Sequence, residues 1–349
     1  MRRRALTLTA AAAALVLTAC GGDAEVEDTD AEATAEGEVA DDVGEDELEE
    51  SFLTVATAGT GGTYYAYGGT YASIINDEVG NVEANAESTG GSVENVRLVS
   101  AGDSDVGIAQ ADVVWDAYHG EGEFEGEPQP IRVLGGIYPN YLQLAVEADS
   151  GFEAFEDLAG ATVSVGPAGG GQEVTLRTTA EAIGMSFDDF GSVENLGFDD
   201  QNLAFGDGNI DAGNYMTSLY AGTLNELAAT VDIDFISFSS EEVAQVADTA
   251  PYFIEGVIPG GIYYGVDEDI EYVPALWNWL VVSEDMDDDL VYALAEALYD
   301  GQEQLESTSQ VAEETVPDNL AEVTTPLHPG ALQYAEDQGV DLPDEAYED

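Results

Sequence analysis

Strand-like and helix-like segments alternate from Phe52 onward, and that order leaves few folds open. FLTVAT precedes YYAYGGTYASIINDEV, NVEANAES precedes SVENVRLVSAG, and VGIAQ precedes ADVVWDAYHG. In each pair an extended apolar run gives way to a run with helical spacing. A β-α-β-α-β order implies a mainly parallel sheet covered by helices on both faces. IRVLGGIYPNYLQLAVEAD then reads as two extended runs around a Tyr-Pro-Asn turn. A second series follows: a helix, strand, glycine loop and helix in FEAFEDLAGATVSVGPAGGGQEVTLRTTAEAIG, the strand GNIDAGNYM, the helix TSLYAGTLNELAAT and the strand IDFISFS. YVPALWNWLVVSED returns as an apolar strand with Trp277 and Trp279 inside, and DLVYALAEALYDGQEQL has helical spacing. Two α/β modules joined by long extended crossings predict two hinged lobes with a cleft between them. The expected division is 52–140 for the first part of lobe 1 and 141–255 for lobe 2. Residues 256–349 would supply the return crossing, the completion of lobe 1 and the C-terminal helices.

Four segments share one local design, a strand end, a turn of small residues and a helix start. They are Gly59-Thr60-Gly61-Gly62-Thr63, Ser88-Thr89-Gly90-Gly91-Ser92, Gln110-Ala111-Asp112 and Gly166-Pro167-Ala168-Gly169-Gly170-Gly171-Gln172. The first N–H groups of a helix have no partner inside it, and the macrodipole leaves partial positive charge there. Glycine lets a ligand approach that backbone, and Ser or Thr adds a hydroxyl. One such loop is most simply a tight turn with an N-cap. Four at the same end of successive strands point to a ligand cleft, because open parallel sheets bind at their carboxyl ends. A nucleotide does not fit: 57–69 lacks the Gly-Lys-Ser/Thr of a phosphate loop, and Tyr64 stands where a dinucleotide fingerprint needs glycine.

Charge sharpens the question of what binds. The chain of 349 residues carries 73 acidic residues against 6 basic ones, all arginine, for a formal charge of −67. Nothing in that balance offers nucleic acid a basic footprint. At about 1 M salt the screening length falls to about 3 Å, so such self-repulsion largely disappears. The economical reading is a protein adapted to high salt. Its melting temperature is expected to fall steeply once salt drops below a few hundred millimolar; a salt-independent melting temperature would overturn that reading.

The N-terminus reads as an address. Met1-Arg2-Arg3-Arg4 and the apolar stretch Ala5 to Leu17 form a signal peptide, 1–20, too short to span a bilayer. It ends in Leu17-Thr18-Ala19-Cys20, which resembles a bacterial lipobox with Cys20, the chain's one cysteine, as the lipid anchor. Loss of the three leader arginines would take the charge from −67 to −70 and leave Arg97, Arg132 and Arg177. Residues 21–51 contain no aromatics and are rich in Asp, Glu and Ala, which reads as an acidic disordered tether. The expected location is therefore extracytoplasmic, with the membrane reached only through the lipid.

Catalytic chemistry has few candidates. There is no Gly-x-Ser-x-Gly elbow, no His-Glu-x-x-His and no cysteine nucleophile beyond Cys20. His119 precedes an acidic loop and His328 lies in a Pro-Leu-His-Pro turn. Asp285-x-Asp287-x-Asp289 imitates the start of a calcium loop without its turn glycine or closing glutamate, and it heads a helix whose dipole those acids complement. We expect no enzyme, no cofactor and no metal site.

Several stretches together resemble the TAXI family, the extracytoplasmic solute receptors of one class of TRAP transporters. They are Thr60-Gly61-Gly62-Thr63-Tyr64-Tyr65, Ser88-Thr89-Gly90-Gly91-Ser92-Val93-Glu94-Asn95 and Gly107-Ile108-Ala109-Gln110-Ala111-Asp112-Val113. Val163-Ser164-Val165-Gly166-Pro167 and Pro326-Leu327-His328-Pro329-Gly330-Ala331 extend the likeness, from about Phe52 to Val340. The resemblance implies a periplasmic-binding-protein type II fold, α/β with two lobes that close like a flytrap. It also implies delivery to a sodium-driven TRAP membrane permease, with glutamate or 2-oxoglutarate as typical ligands. Carried onto this chain, the contacts would come from Thr60, Gly61, Gly62, Thr63, Tyr64, Ser88, Thr89, Gly90, Ser92 and Gln110. The second lobe departs from the pattern: Gly169-Gly170-Gly171-Gln172-Glu173 replaces the usual Gly-Ser-Gly-Thr-Glu, and Asp211 to Met216 is more polar than the usual aromatic run. Gly170, Gly171 and Gln172 complete the candidate set, with Tyr138, Asn140 and Tyr215 as cleft aromatics and amide. A monomer binding a small carboxylate or amino acid is expected; a receptor for an ABC importer and an extracellular enzyme on the same fold are the alternatives.

Overall fold

The computed structural model describes Leu48 and residues 51–348, so the signal peptide, Cys20 and nearly all of the tether lie outside the described residues. The first series is β1 (Ser51–Ala56), α1 (Thr63–Glu78), β2 (Val82–Glu87), α2 (Ser92–Ala101), β3 (Val106–Gln110) and α3 (Ala111–His119), and β1 runs parallel to both β2 and β3. Tyr67, Tyr71, Ile74 and Ile75 recur at helical spacing and bury α1 against this sheet. Gly68 permits the close approach, since a Cβ there would fall 2.4 Å from the Thr57 side chain. One glycine of the dense 57–69 stretch is thus a packing residue.

After the long strand β4 (Ile131–Glu147), the second series runs β5 (Thr162–Ser164), α4 (Gly171–Ala182), β6 (Ser192–Glu194), α5 (Phe198–Gly206), β7 (Ala212–Thr217), α6 (Gly222–Ala228), β8 (Ile233–Phe235), α7 (Ser240–Thr249) and β9 (Phe253–Ile258). The chain finishes with β10 (Ile270–Ser283), α8 (Asp288–Asp300), α9 (Gln302–Thr308) and α10 (Pro329–Gln338). The sequence reading did not anticipate β6, α5, α7 or β9. It placed a helix over FEAFEDL where only a short 3-10 turn, Phe155–Leu158, forms. It also ran one helix through Gly301, which separates α8 from α9.

The parallel sets β2-β1-β3 and β7-β5-β6 are not two separate sheets. The antiparallel strands β10 and β4 join them into one ten-stranded sheet, ordered β2-β1-β3-β10-β4-β7-β5-β6, with β8 on β4 and β9 on β10. The sheet is therefore mixed where a mainly parallel one was expected. The 17-residue β4 also replaces the expected pair of runs around a turn. Pro139 has no N–H for the ladder, yet the strand continues through a bulge of β4 at the same level: Trp277 pairs with Pro139 and Trp279 with Gly136, so Ile137 and Tyr138 together face the single residue Asn278. The Asn278 side chain turns back to donate to the Tyr138 carbonyl at 2.7 Å. β4 is thus irregular midway between the two parallel sets.

Candidate functional site

A cavity of about 150 Å³ lies at that level, between the two sets of strand ends. Its size is close to that of an apolar cavity that accepts benzene. Five helix starts border it: Gly62, Thr63 and Tyr64 of α1, Gly90 to Ser92 of α2, Gln110 before α3, Gly170 to Gln172 of α4, and Gly197 and Phe198 of α5. Asn140 of β4 and Met216 and Thr217 of β7 complete the wall.

The helix starts differ in how they are finished. Those of α1 to α5 carry no side-chain cap. By contrast α7, α8 and α10, whose first residues do not line the cavity, are capped by Ser239, Asp287 and His328. The starts of α6 and α9 are uncapped as well, so what marks the cavity is that five uncapped starts meet there. Acidic side chains hold some of the amides: Glu94 accepts from Gly90 N at 2.6 Å, Glu173 from Gly169 N at 2.7 Å, and Asp112 Oδ1 from Val113 N at 2.8 Å in the first turn of α3.

No lining side chain is charged at neutral pH. All three arginines of the described residues are engaged elsewhere. Arg97 pairs with Glu123, Arg132 with Glu284 and Glu348, and Arg177 with Glu173 while lying over the Phe187 ring at 4.5 Å. Polarity comes from amides and hydroxyls. Tyr64 donates its hydroxyl to Asn278 Oδ1, and burial pushes its phenol well above the ordinary range, so it stays neutral and a donor. The Gln172 side-chain oxygen, Oε1, is buried beside the cavity with no protein partner.

Of the residues singled out in the sequence, Gly62, Thr63, Tyr64, Thr89, Gly90, Ser92, Gln110, Gly170, Gly171 and Gln172 line the cavity together, and so does Asn140. Thr60 and Gly61 lie instead on a separate outer groove beyond Gly62 and Thr63. Ser88 turns away, donating to the Ala58 carbonyl at 2.9 Å. Thr89 reaches the cavity, but its hydroxyl is within 2.6 Å of Asn95 Oδ1 and 3.1 Å of the Thr57 carbonyl. Tyr138 is fully buried, its ring edge-on to Tyr67 at 5.2 Å. Tyr215 stacks on Phe198 at 5.8 Å and donates to Asn202, so it backs the wall without facing the cavity. Gly197, Phe198, Met216 and Thr217 went unnoticed. A glycine before a short acidic helix was the only available signal for the first two.

Three side-chain contacts span the halves beside the cavity, one of them between Asp112 and Thr175 at 2.5 Å. The hydroxyls of Thr63 and Ser218 meet at 2.9 Å, and Gln110 Nε2 donates to Thr175 Oγ1 at 2.9 Å. Among the described residues, no group of three or more His, Cys, Asp or Glu is placed to hold a metal, and no helix is long and apolar enough to cross a membrane.

The sequence-family model of the NMT1-like family matches residues 55–339. Among solved structures, PhnD1 of Prochlorococcus marinus (MIT 9301), in complex with methylphosphonate, is similar at 10% identity and a TM-score of 0.52, over 76% of this chain and 91% of that one. A protein of Bordetella bronchiseptica RB50 is similar at 15% identity and 0.50, over 85% and 92%. The periplasmic aliphatic sulphonate-binding protein of Escherichia coli is similar at 12% identity and 0.47, over 83% and 79%. The fold is that of the type II periplasmic binding proteins, as expected.

Proposed function

We propose that this chain, which belongs to the NMT1-like family, is an extracytoplasmic receptor that captures a small organic acid in the cavity between its two halves. The observation that carries the reading is the convergence of five uncapped helix starts on a cavity without a charged wall residue. Each uncapped start offers N–H donors and a positive dipole end to an anion. A carboxylate suits such a seat, and Tyr64, Asn140, Gln110 and Gln172 supply hydrogen-bonding groups for the remainder of the ligand. No paired acid and base or activated nucleophile faces the cavity, which favours binding over turnover.

The finer reading follows the motif resemblance. A glutamate-like or 2-oxoglutarate-like acid is captured by a receptor anchored through Cys20 and passed to a TRAP-type permease. The lobes are 52–140 with part of 256–349, and 141–255, hinged where β4 bulges against β10. A large multi-spanning permease gene beside this one, without an ATPase gene, is the expected neighbourhood; an adjacent ATPase would move the assignment to an ABC importer.

The binding test is a thermal-shift screen of small organic acids and amino acids in high salt. A ligand at one hundred times its Kd adds about 2.7 kcal/mol of apparent stability. Stabilisation by one acid but not by its amide or ester is expected. A flat response across all acids, amino acids and small oxyanions would overturn the reading.

A further inference from the structure

Asp112 lies behind the cavity, wholly buried at the first turn of α3, and its surroundings specify a protonation state. Its Oδ1 accepts from Val113 N at 2.8 Å, and its Oδ2 is 2.5 Å from Thr175 Oγ1 of α4, in the opposite half. Thr175 Oγ1 is also 3.0 Å from the Gly171 carbonyl and receives Gln110 Nε2 at 2.9 Å. A hydroxyl has one proton and two lone pairs. With Asp112 ionised, Thr175 has one proton for two acceptors. With Asp112 neutral every valence is used once: Asp112 and Gln110 donate to the two lone pairs, and Thr175 donates to Gly171.

We propose that Asp112 carries a proton in the closed arrangement, as a positioning residue for the ligand cavity, so that closure around the ligand takes up one proton. The clause about closure rests on the receptor reading above; the proton itself does not. Gly171 and Gln110 line the cavity, so the network fixes two of its walls. The titratable groups acting on Asp112 are Asp116 one turn along α3, Tyr64 from α1 and Tyr252 ahead of β9. α4 presents the neutral Thr175, its own Glu173 and Arg177 being paired to each other. Among the described residues no cation is a hydrogen-bond or charge partner of Asp112. Burial is the leading cause that raises its carboxyl to about 7, against the lowering effect of the Thr175 and Val113 hydrogen bonds.

The sign follows from a folded pKa raised above the unfolded one. The folded protein keeps this proton between about pH 4 and pH 7, where the unfolded chain has lost it, so the stability it confers is complete at low pH and disappears as pH rises through about 7. An opened cleft that separates Thr175 from Asp112 and admits water weakens the proton's hold in the same direction.

Asp112→Asn imitates the neutral acid, with an amide to donate to Thr175 and a carbonyl to accept from Val113. The first measurement is the melting temperature of the ligand-free protein and of Asp112→Asn in high salt. The wild type is expected to lose stability relative to the variant from about pH 4 to about pH 7 and to change little above that. A difference that does not change with pH overturns the proposal. The second is titration with L-glutamate, or with whichever acid the screen returns, in buffers of different ionisation enthalpy. Wild-type affinity is expected to fall by up to about tenfold per pH unit as pH rises towards 7, with up to one proton taken up per ligand in that range, and to level off above 7, while the variant shows neither. Equal pH slopes, or binding without proton uptake by the wild type, overturn the coupling; the wild-type proton count serves even if the variant does not fold. A pH-dependent melting difference with no acid bound would sink the receptor reading and leave the proton in place.

Discussion

Replacing Trp279 with alanine is expected to destabilise the fold by about 3–5 kcal/mol, the range for truncating a large buried aromatic. Trp279 is among the largest fully buried side chains, and it stands where β10 pairs with both β3, at Ala109, and β4, at Gly136. A Cβ on Gly136 would come within 2.8 Å of its ring, so the backbone of β4 is already pressed against the indole. The Trp277 ring stacks on it at 6.2 Å. Truncation opens a void at the junction of the two parallel sets, where a close-packed backbone has little room to collapse. Denaturant unfolding in high salt measures the effect as a lower midpoint at unchanged slope. Trp279→Phe should cost less, both because it keeps most of the volume and because the indole N–H has no protein acceptor to lose. Equal loss from the two variants would locate the effect outside packing.

Gly171→Ala is expected to weaken binding of the acid about 100-fold, which is about 2.7 kcal/mol, without destabilising the fold. A Cβ at Gly171 would lie 2.2 Å from Gln110 Oε1 and 2.8 Å from Ser92 Oγ. Gln110 cannot simply swing aside, because its Nε2 is held by Thr175 at 2.9 Å. The methyl therefore separates the starts of α3 and α4 and moves two walls of the cavity together. Gly171 opens α4 at a backbone angle alanine accepts, and alanine is the better helix former by roughly 0.5–1 kcal/mol. Isothermal titration and a melting curve on the same sample separate the two effects. Gly69→Ala is the control: it adds a methyl to α1 with nothing within 4 Å and should leave affinity alone. Binding that survives Gly171→Ala within threefold would mean the acid sits elsewhere.

Much of the site was legible because glycine and hydroxyl residues at helix starts are a local signal. Gly62, Thr63, Ser92, Gly170 and Gly171 were found from residue type and position alone. Ser88 and Thr89 have the same signature, yet their hydroxyls bond Ala58, Thr57 and Asn95. That choice depends on Asn95, which bridges the carbonyls of Thr57 and Ile108 at 2.6 and 2.7 Å, and on no feature of the loop itself. Phe198 was missed for a related reason. Its helix is short and acidic with a weak apolar pattern, and it reaches the cavity only through Tyr215 stacking behind it.

The order of strands and helices in the first series, the glycine turns that let helices start at strand ends, and the shortage of cations that leaves backbone amides as the candidate anion donors were set by the sequence alone, because each follows from residue type over a few positions. Tertiary structure decided that β4 runs unbroken through Pro139, with a bulge at Ile137 and Tyr138 taking up the change of register against Asn278 of β10. It also decided which loops converge, and that a carboxyl on α3 meets a hydroxyl on α4 with one proton too few. Those are relations between residues more than 60 positions apart, and local chemistry does not fix distances across that much chain.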